Sequence, residues 1–222
     1  MRRFLRNQGL SIVLILAFLI LFVGQSLVGH QQYNDDQQEH GQPTVSYSQY
    51  LGSSHLLEAT MENWESEFLQ MFAYVVLTAF LFQKGSIESK DPDRKTHPVD
   101  RDPRAGKNRR NAPWPVKKGG WILLLYEYSL SLAFLLLFLI SFALHAVGGA
   151  AQYNEEQREH GVLQQISVVQ FMGTSQFWFE SLQNWQSEFL AVASMVVFSI
   201  FLRQRWSAES KPVDAPHSET GE

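Results

Sequence analysis

The apolar residues of the chain are gathered into four blocks, with polar and charged segments between them. The first block, residues 10–29, and the third, residues 121–147, are each long enough to cross a bilayer, which takes about 20 mostly apolar residues. The second and fourth blocks, residues 68–82 and 189–202, are shorter. Length alone therefore predicts two membrane-spanning helices and leaves the two short blocks to be assigned from their flanks.

Tryptophans and cations flank both short blocks. Trp64 and Lys84 bracket the second block, and Trp185 and Arg205 bracket the fourth, each pair 20 residues apart. That separation is about 30 Å of helix, the thickness of the hydrocarbon core. An aromatic residue at one end and a cation at the other are typical anchors of a span. The sequence therefore predicts an all-α integral membrane protein with transmembrane helices at about 10–29, 64–84, 121–147 and 185–205.

The cations lie almost entirely in one set of the segments between the blocks. Three precede the first block, eleven lie between the second and third, and three follow the fourth, leaving only Arg158 in the opposite loops. Because cytoplasmic loops carry the excess of Lys and Arg, both termini and the central segment are predicted to be cytoplasmic. Residues 1–28 could also be read as a cleaved signal peptide. The third block repeats them in mid-chain, so we expect them to be retained as a span.

The chain is an internal duplication. QYNDDQQEHG at residues 32–41 returns as QYNEEQREHG at 152–161, and NWESEFL at 63–69 returns as NWQSEFL at 184–190. The tripeptide ESK also occurs in both copies. Each copy holds two predicted spans, so both begin and end on the same side of the membrane, as parallel repeats do. We therefore expect two helical hairpins to form one four-helix bundle.

The repeat sets the expected domain boundaries. A first hairpin is predicted at residues 1–84, a linker at 85–118, a second hairpin at 119–206 and a disordered tail at 207–222. The linker contains five of the eight prolines and very few apolar residues, so we expect it to be flexible. Its basic residues either contact anionic lipid headgroups or serve only to set the topology.

The residues of the doubled QYN motif are typical of a short capped helix. Asn34 is predicted as its N-cap, Gln37 as the N3 residue of a capping box and Gly41 as the residue that ends it. Asn154 would start the equivalent helix in the second copy. This interpretation explains most of the motif by capping, without any catalytic role.

Two further capping boxes follow the motif, at residues 46–49 and 167–170. They predict short helices, and new helices are expected to begin near Ser53 and Thr174. Together with the motif, these segments predict a small helical cap on the outer face of the membrane.

A functional interpretation of the motif remains beside the structural one. A histidine and a carboxylate one helical turn apart can both bind a metal, and the repeat could bring the two copies together. The residues of this candidate outer-face site are Tyr33, Glu39, His40, Tyr153, Glu159 and His160.

The NW(E/Q)SEFL motif gives a second candidate site. Glu67 and Glu188 are predicted one turn inside the interfacial tryptophans, where a carboxylate is costly unless it faces a partner. With Asn63 and Asn184 they form a candidate proton or cation site. The alternative is that each carboxylate only caps a neighbouring backbone group or pairs with an asparagine.

Composition excludes several classes of function. The chain has no cysteine, which removes disulfides, thiolate nucleophiles and cysteine metal sites. Its net charge of −4 gives no reason to expect a nucleic-acid partner. No nucleotide-binding loop, nucleophile elbow or zinc-protease pattern occurs, so we expect neither an enzyme nor a cofactor.

The doubled QYN, NW(E/Q)SEFL and ESK motifs resemble a bacterial membrane family described only as a domain of unknown function. The resemblance implies a four-span protein of the bacterial cytoplasmic membrane and no particular activity. Our primary hypothesis is therefore a non-enzymatic envelope or accessory protein in the lipid bilayer, with homo-oligomerisation left open. The alternatives are a small transporter or channel component using Glu67 and Glu188, and a metal-binding protein using His40, His160 and nearby carboxylates.

Overall fold

The computed structural model describes residues 2–221, and all regular secondary structure in that range is helical. The all-α prediction is confirmed. The eight α-helices in this range are α1 (Arg2–Glu39), α2 (Tyr47–Tyr50), α3 (Ser54–Phe80), α4 (Trp114–Lys118), α5 (Gly120–Glu127), α6 (Ser129–Glu159), α7 (Val168–Phe171) and α8 (Ser175–Phe201).

Two helices in the described range are long and apolar enough to cross a membrane, Phe4–Glu39 and Ser129–Glu159. They correspond to the first and third predicted spans. The other two predicted spans do not meet that criterion. Helices α3 and α8 end at Phe80 and Phe201, four residues before Lys84 and Arg205, and their first halves carry several carboxylates.

The third predicted span is divided in the structure. Helix α5 ends before Tyr128, whose backbone (φ −108°, ψ 8°) leaves the helical range, and α6 begins at the next residue. The Leu132 amide then donates to the Tyr128 carbonyl at 2.9 Å, which starts the new helix. The apolar pattern runs through this break and so could not reveal it.

Residue contacts divide the chain into two compact units. The first unit comprises Met1–Met61 and Leu144–Phe177, and the second comprises Glu62–Ala143 and Trp178–Glu222. Each unit takes part of both sequence repeats. The doubled QYN motif lies wholly in the first unit, and the NW(E/Q)SEFL motif lies in the second.

The ends of α1 and α6 confirm the predicted glycine stops. Gly41 (φ +69°) and Gly161 (φ +78°) adopt the left-handed conformation that ends a helix. The amide of Gln42 donates to the Gln37 carbonyl at 2.7 Å, and that of Val162 donates to Gln157 at 2.8 Å. These are Schellman bonds, and they satisfy carbonyls that the last turn would otherwise leave open.

The predicted helix starts at Asn34 and Asn154 are wrong. Both residues lie inside uninterrupted helices, since the glycines that precede the motif, Gly29 in α1 and Gly148 and Gly149 in α6, stay helical. Asn34 instead holds the returning chain: its Oδ1 accepts from the Val45 amide at 2.8 Å and its Nδ2 donates to the Val45 carbonyl at 3.1 Å. Asn154 makes the same two bonds to Ile166, at 2.8 and 2.9 Å.

The two capping boxes are confirmed. Ser46 and Gln49 exchange side-chain and backbone hydrogen bonds at the start of α2, and Ser167 and Gln170 do so at the start of α7. Helices α3 and α8 begin at Ser54 and Ser175, within one residue of the predicted positions. Such signals span only three or four residues, so the sequence reveals them directly.

Hydrogen bonds from Lys211 join the tail to the linker in the second unit. The Lys211 ammonium, 2% exposed, donates to the carbonyls of Gly85, Pro216, His217 and Glu219 at 2.6–3.3 Å. Burial lowers the pKa of Lys211. The linker contains two 3₁₀ turns, Pro98–Asp100 and Pro103–Gly106, and its Lys90 pairs with Asp100 at 3.1 Å.

Candidate functional site

The two copies of the QYN motif contact each other in the first unit. Tyr33 donates through its hydroxyl to Glu155 Oε1 at 2.6 Å, and Gln37 Nε2 donates to Glu159 Oε1 at 2.9 Å. Tyr33 and Gln37 lie one turn apart on α1, and Glu155 and Glu159 lie one turn apart on α6. The motif therefore aligns the ends of these two helices.

Glu155 is the centre of this network. Its Oε2 accepts from the Ser54 hydroxyl at 3.0 Å, while its Oε1 accepts from Tyr33. The equivalent residue in the first copy is Asp35, which is one methylene shorter and exposed. Burial, and then the bond to Glu155, raise the pKa of Tyr33. The hydroxyl therefore stays protonated at neutral pH and remains a donor.

The remaining residues of the candidate outer-face site take different positions. His40 and His160 lie together, with ring centroids 5.9 Å apart and planes inclined at 61°. Glu39 is exposed, and Tyr153 packs its ring against Phe171 at 6.0 Å. The structure thus brings together Tyr33, Glu159, His40 and His160 of the predicted set.

A tyrosine–histidine cluster packs beneath Tyr33. Tyr50 is almost fully buried, and its hydroxyl hydrogen-bonds to Nδ1 of His55 at 3.1 Å. The rings of His30, Tyr33 and His55 lie 5.5–5.8 Å from that of Tyr50. Burial lowers the pKa of His55, against the opposing effect of nearby carboxylates. His30, Tyr50 and His55 lie on three different segments and share no motif, so the sequence alone does not single them out.

Glu58 and His145 form another pair in the first unit. Their potential ligand atoms lie within 4.8 Å of each other, and the fully buried His145 ring stacks on Phe177 at 4.9 Å. His145 belongs to none of the repeated motifs, because Gln25 stands in its place in the first copy. Its partner is 87 positions earlier and could not be recognised from spacing.

In the second unit, the NW(E/Q)SEFL motif places a different glutamate in the interior. Glu65 is 0% exposed, and its Oε1 accepts from Trp185 Nε1 at 3.0 Å. Asn184, a residue of the predicted site, donates through Nδ2 to Glu62 Oε1 at 2.5 Å. The first contact joins the two copies of the motif, and the second joins Asn184 to the residue just before the first copy.

The predicted pair of glutamates lies further outward. Glu67 and Asn63 are exposed, and Glu188 is partly exposed, with its backbone carbonyl accepting from Gln70 at 3.4 Å. Residues two apart on a helix lie about 200° apart around its axis, so burying Glu65 turns Glu67 outward. Glu67 was predicted because it recurs as Glu188 in the second copy. The buried residue is instead Glu65, which the second copy replaces with Gln186.

The family of the chain follows from a match over its full length. Residues 1–222 match the family described as domain of unknown function DUF6766. The chain belongs to the DUF6766 family. No curated protein and no solved structure matches it.

This member of DUF6766 thus carries two sets of polar groups with different chemistry. The first unit offers a carboxylate network and two neighbouring imidazoles at the helix ends. The second unit offers a carboxylate held by an indole N–H. Carboxylates and imidazoles are the groups that exchange protons near neutral pH or bind metal ions. The residues that sequence reasoning missed, Glu65, Glu155 and Tyr50, all owe their position to contacts between distant segments.

Proposed function

We propose that the chain is a four-span, non-enzymatic protein of the bacterial cytoplasmic membrane, an envelope or accessory protein whose doubled motifs hold its helices together. The observation that carries this proposal is the exposure of the apolar helices. Only 6% of the most apolar window of α1 and 17% of that of α6 are buried. A core helix of a soluble protein would be buried, whereas lipid tails can cover such a surface.

The exposed surfaces of α3 and α8 support two further spans. Large apolar side chains stand exposed through the second half of α8, which follows Trp185, and near the end of α3, which follows Trp64. Each helix has 27 residues, about 40 Å in length, which is ample for a hydrocarbon core of about 30 Å. The residues concerned include Leu77, Phe80, Leu190, Val197, Phe198 and Phe201.

The charge distribution also favours four spans over two. If only α1 and α6 crossed the membrane, the linker with its ten cations would lie on the side opposite the N-terminus. Four spans place that linker, both termini and their cations on the cytoplasmic side. Exposed linker cations such as Lys107, Arg109 and Lys118 would then face anionic headgroups.

A structural role explains why residues of the two copies are repeated. Asn34 and Asn154 hold the returning loops, and Glu155, Glu159 and Glu62 accept hydrogen bonds from the other copy. Each of these side chains is thereby used in packing the fold. An accessory membrane protein needs nothing more from them.

Single cysteines would test the topology, because the chain has none of its own. In bacterial cells, a membrane-impermeant maleimide should label Leu163→Cys, a position that is 88% exposed. It should label Val99→Cys, 72% exposed, only after the cells are permeabilised. Two spans would reverse both results, with Val99→Cys labelled from outside and Leu163→Cys protected. That reversed pattern would overturn the four-span proposal, and Leu51→Cys, external in either topology, is the positive control.

Proton or cation transport is a second candidate function, and the buried Glu65 favours it. A carboxylate within a membrane helix marks a candidate proton or ion site, and Glu65 is the buried one here, whereas Glu67 of the predicted pair is exposed. In liposomes containing a pH-sensitive dye, Glu65→Gln should reduce proton flux by roughly tenfold or more, because the amide carries no titratable proton.

Glu67→Gln is the matched control for this experiment, since Glu67 is exposed two residues away. Glutamine keeps an oxygen that can accept from Trp185, so loss of flux would not reflect unfolding. Flux equal to that of empty liposomes in the unsubstituted protein would rule out transport. Flux that survives Glu65→Gln would remove Glu65 from the pathway.

A further inference from the structure

The ends of α1 and α6 place two histidines in contact, one from each copy of the motif. His40 and His160 directly follow the last residues of their helices, Glu39 and Glu159, and both rings are exposed. Their centroids lie 5.9 Å apart. The hydrogen bonds of Tyr33 and Gln37 to α6 hold together the two helix ends that carry the histidines. The pair is therefore held by the fold and does not depend on a flexible loop.

Both imidazoles are fixed in the same tautomer. His40 Nδ1 lies 2.9 Å from the Asp36 carbonyl oxygen, and His160 Nδ1 lies 2.8 Å from that of Glu156. A carbonyl oxygen only accepts, so Nδ1 carries the proton in each ring. The neutral ring then has its lone pair on Nε2. A backbone carbonyl that holds one ring nitrogen while the other binds a metal is the usual arrangement of a metal-binding histidine.

The spacing of the rings suits one shared ion. Zinc lies about 2.0–2.1 Å from a histidine nitrogen, and roughly 1.1 Å separates that nitrogen from the ring centroid. At the tetrahedral angle, two imidazoles on one zinc ion therefore have centroids roughly 5.2 Å apart. The observed 5.9 Å is wider by less than about 1 Å, which rotation of the two exposed side chains can close on binding.

We propose that His40 and His160 bind one divalent transition-metal ion of the class that prefers imidazole, such as Zn²⁺ or Cu²⁺, through their Nε2 atoms. Water molecules would complete the coordination sphere at these exposed rings. The site uses helix ends within the first unit only. It needs both helix ends on the same side of the membrane, as four spans place them, so it rests on that part of the proposed function. The four-span labelling pattern in a protein that binds no zinc would overturn the metal site alone.

Zinc titration of the purified full-length protein, followed by calorimetry, tests the proposal. One Zn²⁺ per chain is expected. His40→Ala and His160→Ala should each weaken binding by roughly a hundredfold, since removing only the group that orients a metal ligand already costs about 10–100-fold. Both side chains are exposed, so the substitutions should leave the thermal unfolding temperature unchanged.

His217→Ala is the matched control. His217 is also exposed, and its Nδ1 lies 3.1 Å from the Ile200 carbonyl oxygen, so it is a histidine with the same anchoring. The His217 ring packs against Phe201, whereas the rings of His40 and His160 pack against each other. Zinc binding should be unchanged by this substitution. An equal loss in His217→Ala would overturn the proposal by showing that any exposed histidine suffices.

Electron paramagnetic resonance of bound Cu²⁺ gives a direct count of nitrogen ligands. Two imidazole nitrogens are expected in the unsubstituted protein and one in either single variant. Metal that remains bound with two nitrogens in the His40→Ala/His160→Ala double variant would place the site elsewhere and overturn the proposal. Failure of the unsubstituted protein to bind either ion would do the same.

Discussion

Asn34→Ala is expected to lower the free energy of unfolding by about 1–3 kcal/mol, because it removes both hydrogen bonds to Val45 and leaves the partly buried Val45 amide without a partner, while the Val45 carbonyl keeps the His30 ring nitrogen at 2.8 Å. Asn154→Ala should have a similar effect through Ile166. Since the two asparagines lie in separate loops, the double variant should lose nearly the sum. Thermal or denaturant unfolding in detergent would measure these losses.

Two control variants sharpen this experiment. Gln38→Ala removes an exposed side chain from the same turn of α1 and should change stability by less than about 0.5 kcal/mol. Asn34→Asp keeps the oxygen that accepts from the Val45 amide and loses the donor to the Val45 carbonyl, so its loss should be intermediate. An Asn34→Ala variant as stable as Gln38→Ala would show that Asn34 does not hold the loop.

Gly149→Ala is expected to destabilise the fold by about 1–3 kcal/mol through overpacking. A Cβ at this position would lie 2.4 Å from Phe171 Cε1 and 2.7 Å from Cζ, and the Phe171 side chain is fully buried. The ring cannot move without displacing its neighbour Phe177. A fall in the unfolding temperature of the purified protein is the expected measurement.

Gly24→Ala is the control for the glycine substitution. It also replaces a helical glycine, and no atom lies within 4 Å of the added Cβ. The Gly149→Ala/Phe171→Leu double variant should recover part of the loss, because the smaller side chain opens space beside residue 149. Equal unfolding temperatures for Gly149→Ala and Gly24→Ala would contradict the proposed close packing.

Features encoded over a few residues could be predicted from the sequence. Gly41 and Gly161 end helices because glycine takes a positive φ without strain, and Ser46 with Gln49 forms a capping box within four residues. The start of α3 next to Ser53 is equally local. Each of these signals depends on a residue and its immediate neighbours, so no tertiary information is needed.

Features that depend on distant contacts could not be predicted. Asparagine is a common N-cap residue, which is why Asn34 was predicted to start a helix. Its actual partner, Val45, lies eleven residues later, after the chain has turned back. The burial of Glu65 depends on the rotation of α3 toward Trp185, 120 residues away. A rotation of α3 by two residues would bury Glu67 in place of Glu65. The polar residues of NWESEFL are compatible with either orientation of the helix.

The contact between Tyr33 and Glu155 has a consequence for how the duplication could have evolved. Two identical hairpins assembled as a dimer would have to make every contact twice, with the same acid in both places. Joined in one chain, the two copies are free to differ, and here the longer acid is in one copy while the shorter Asp35 faces solvent. Fusion therefore allowed one half to specialise in holding the helices together, and it released the other half from that constraint.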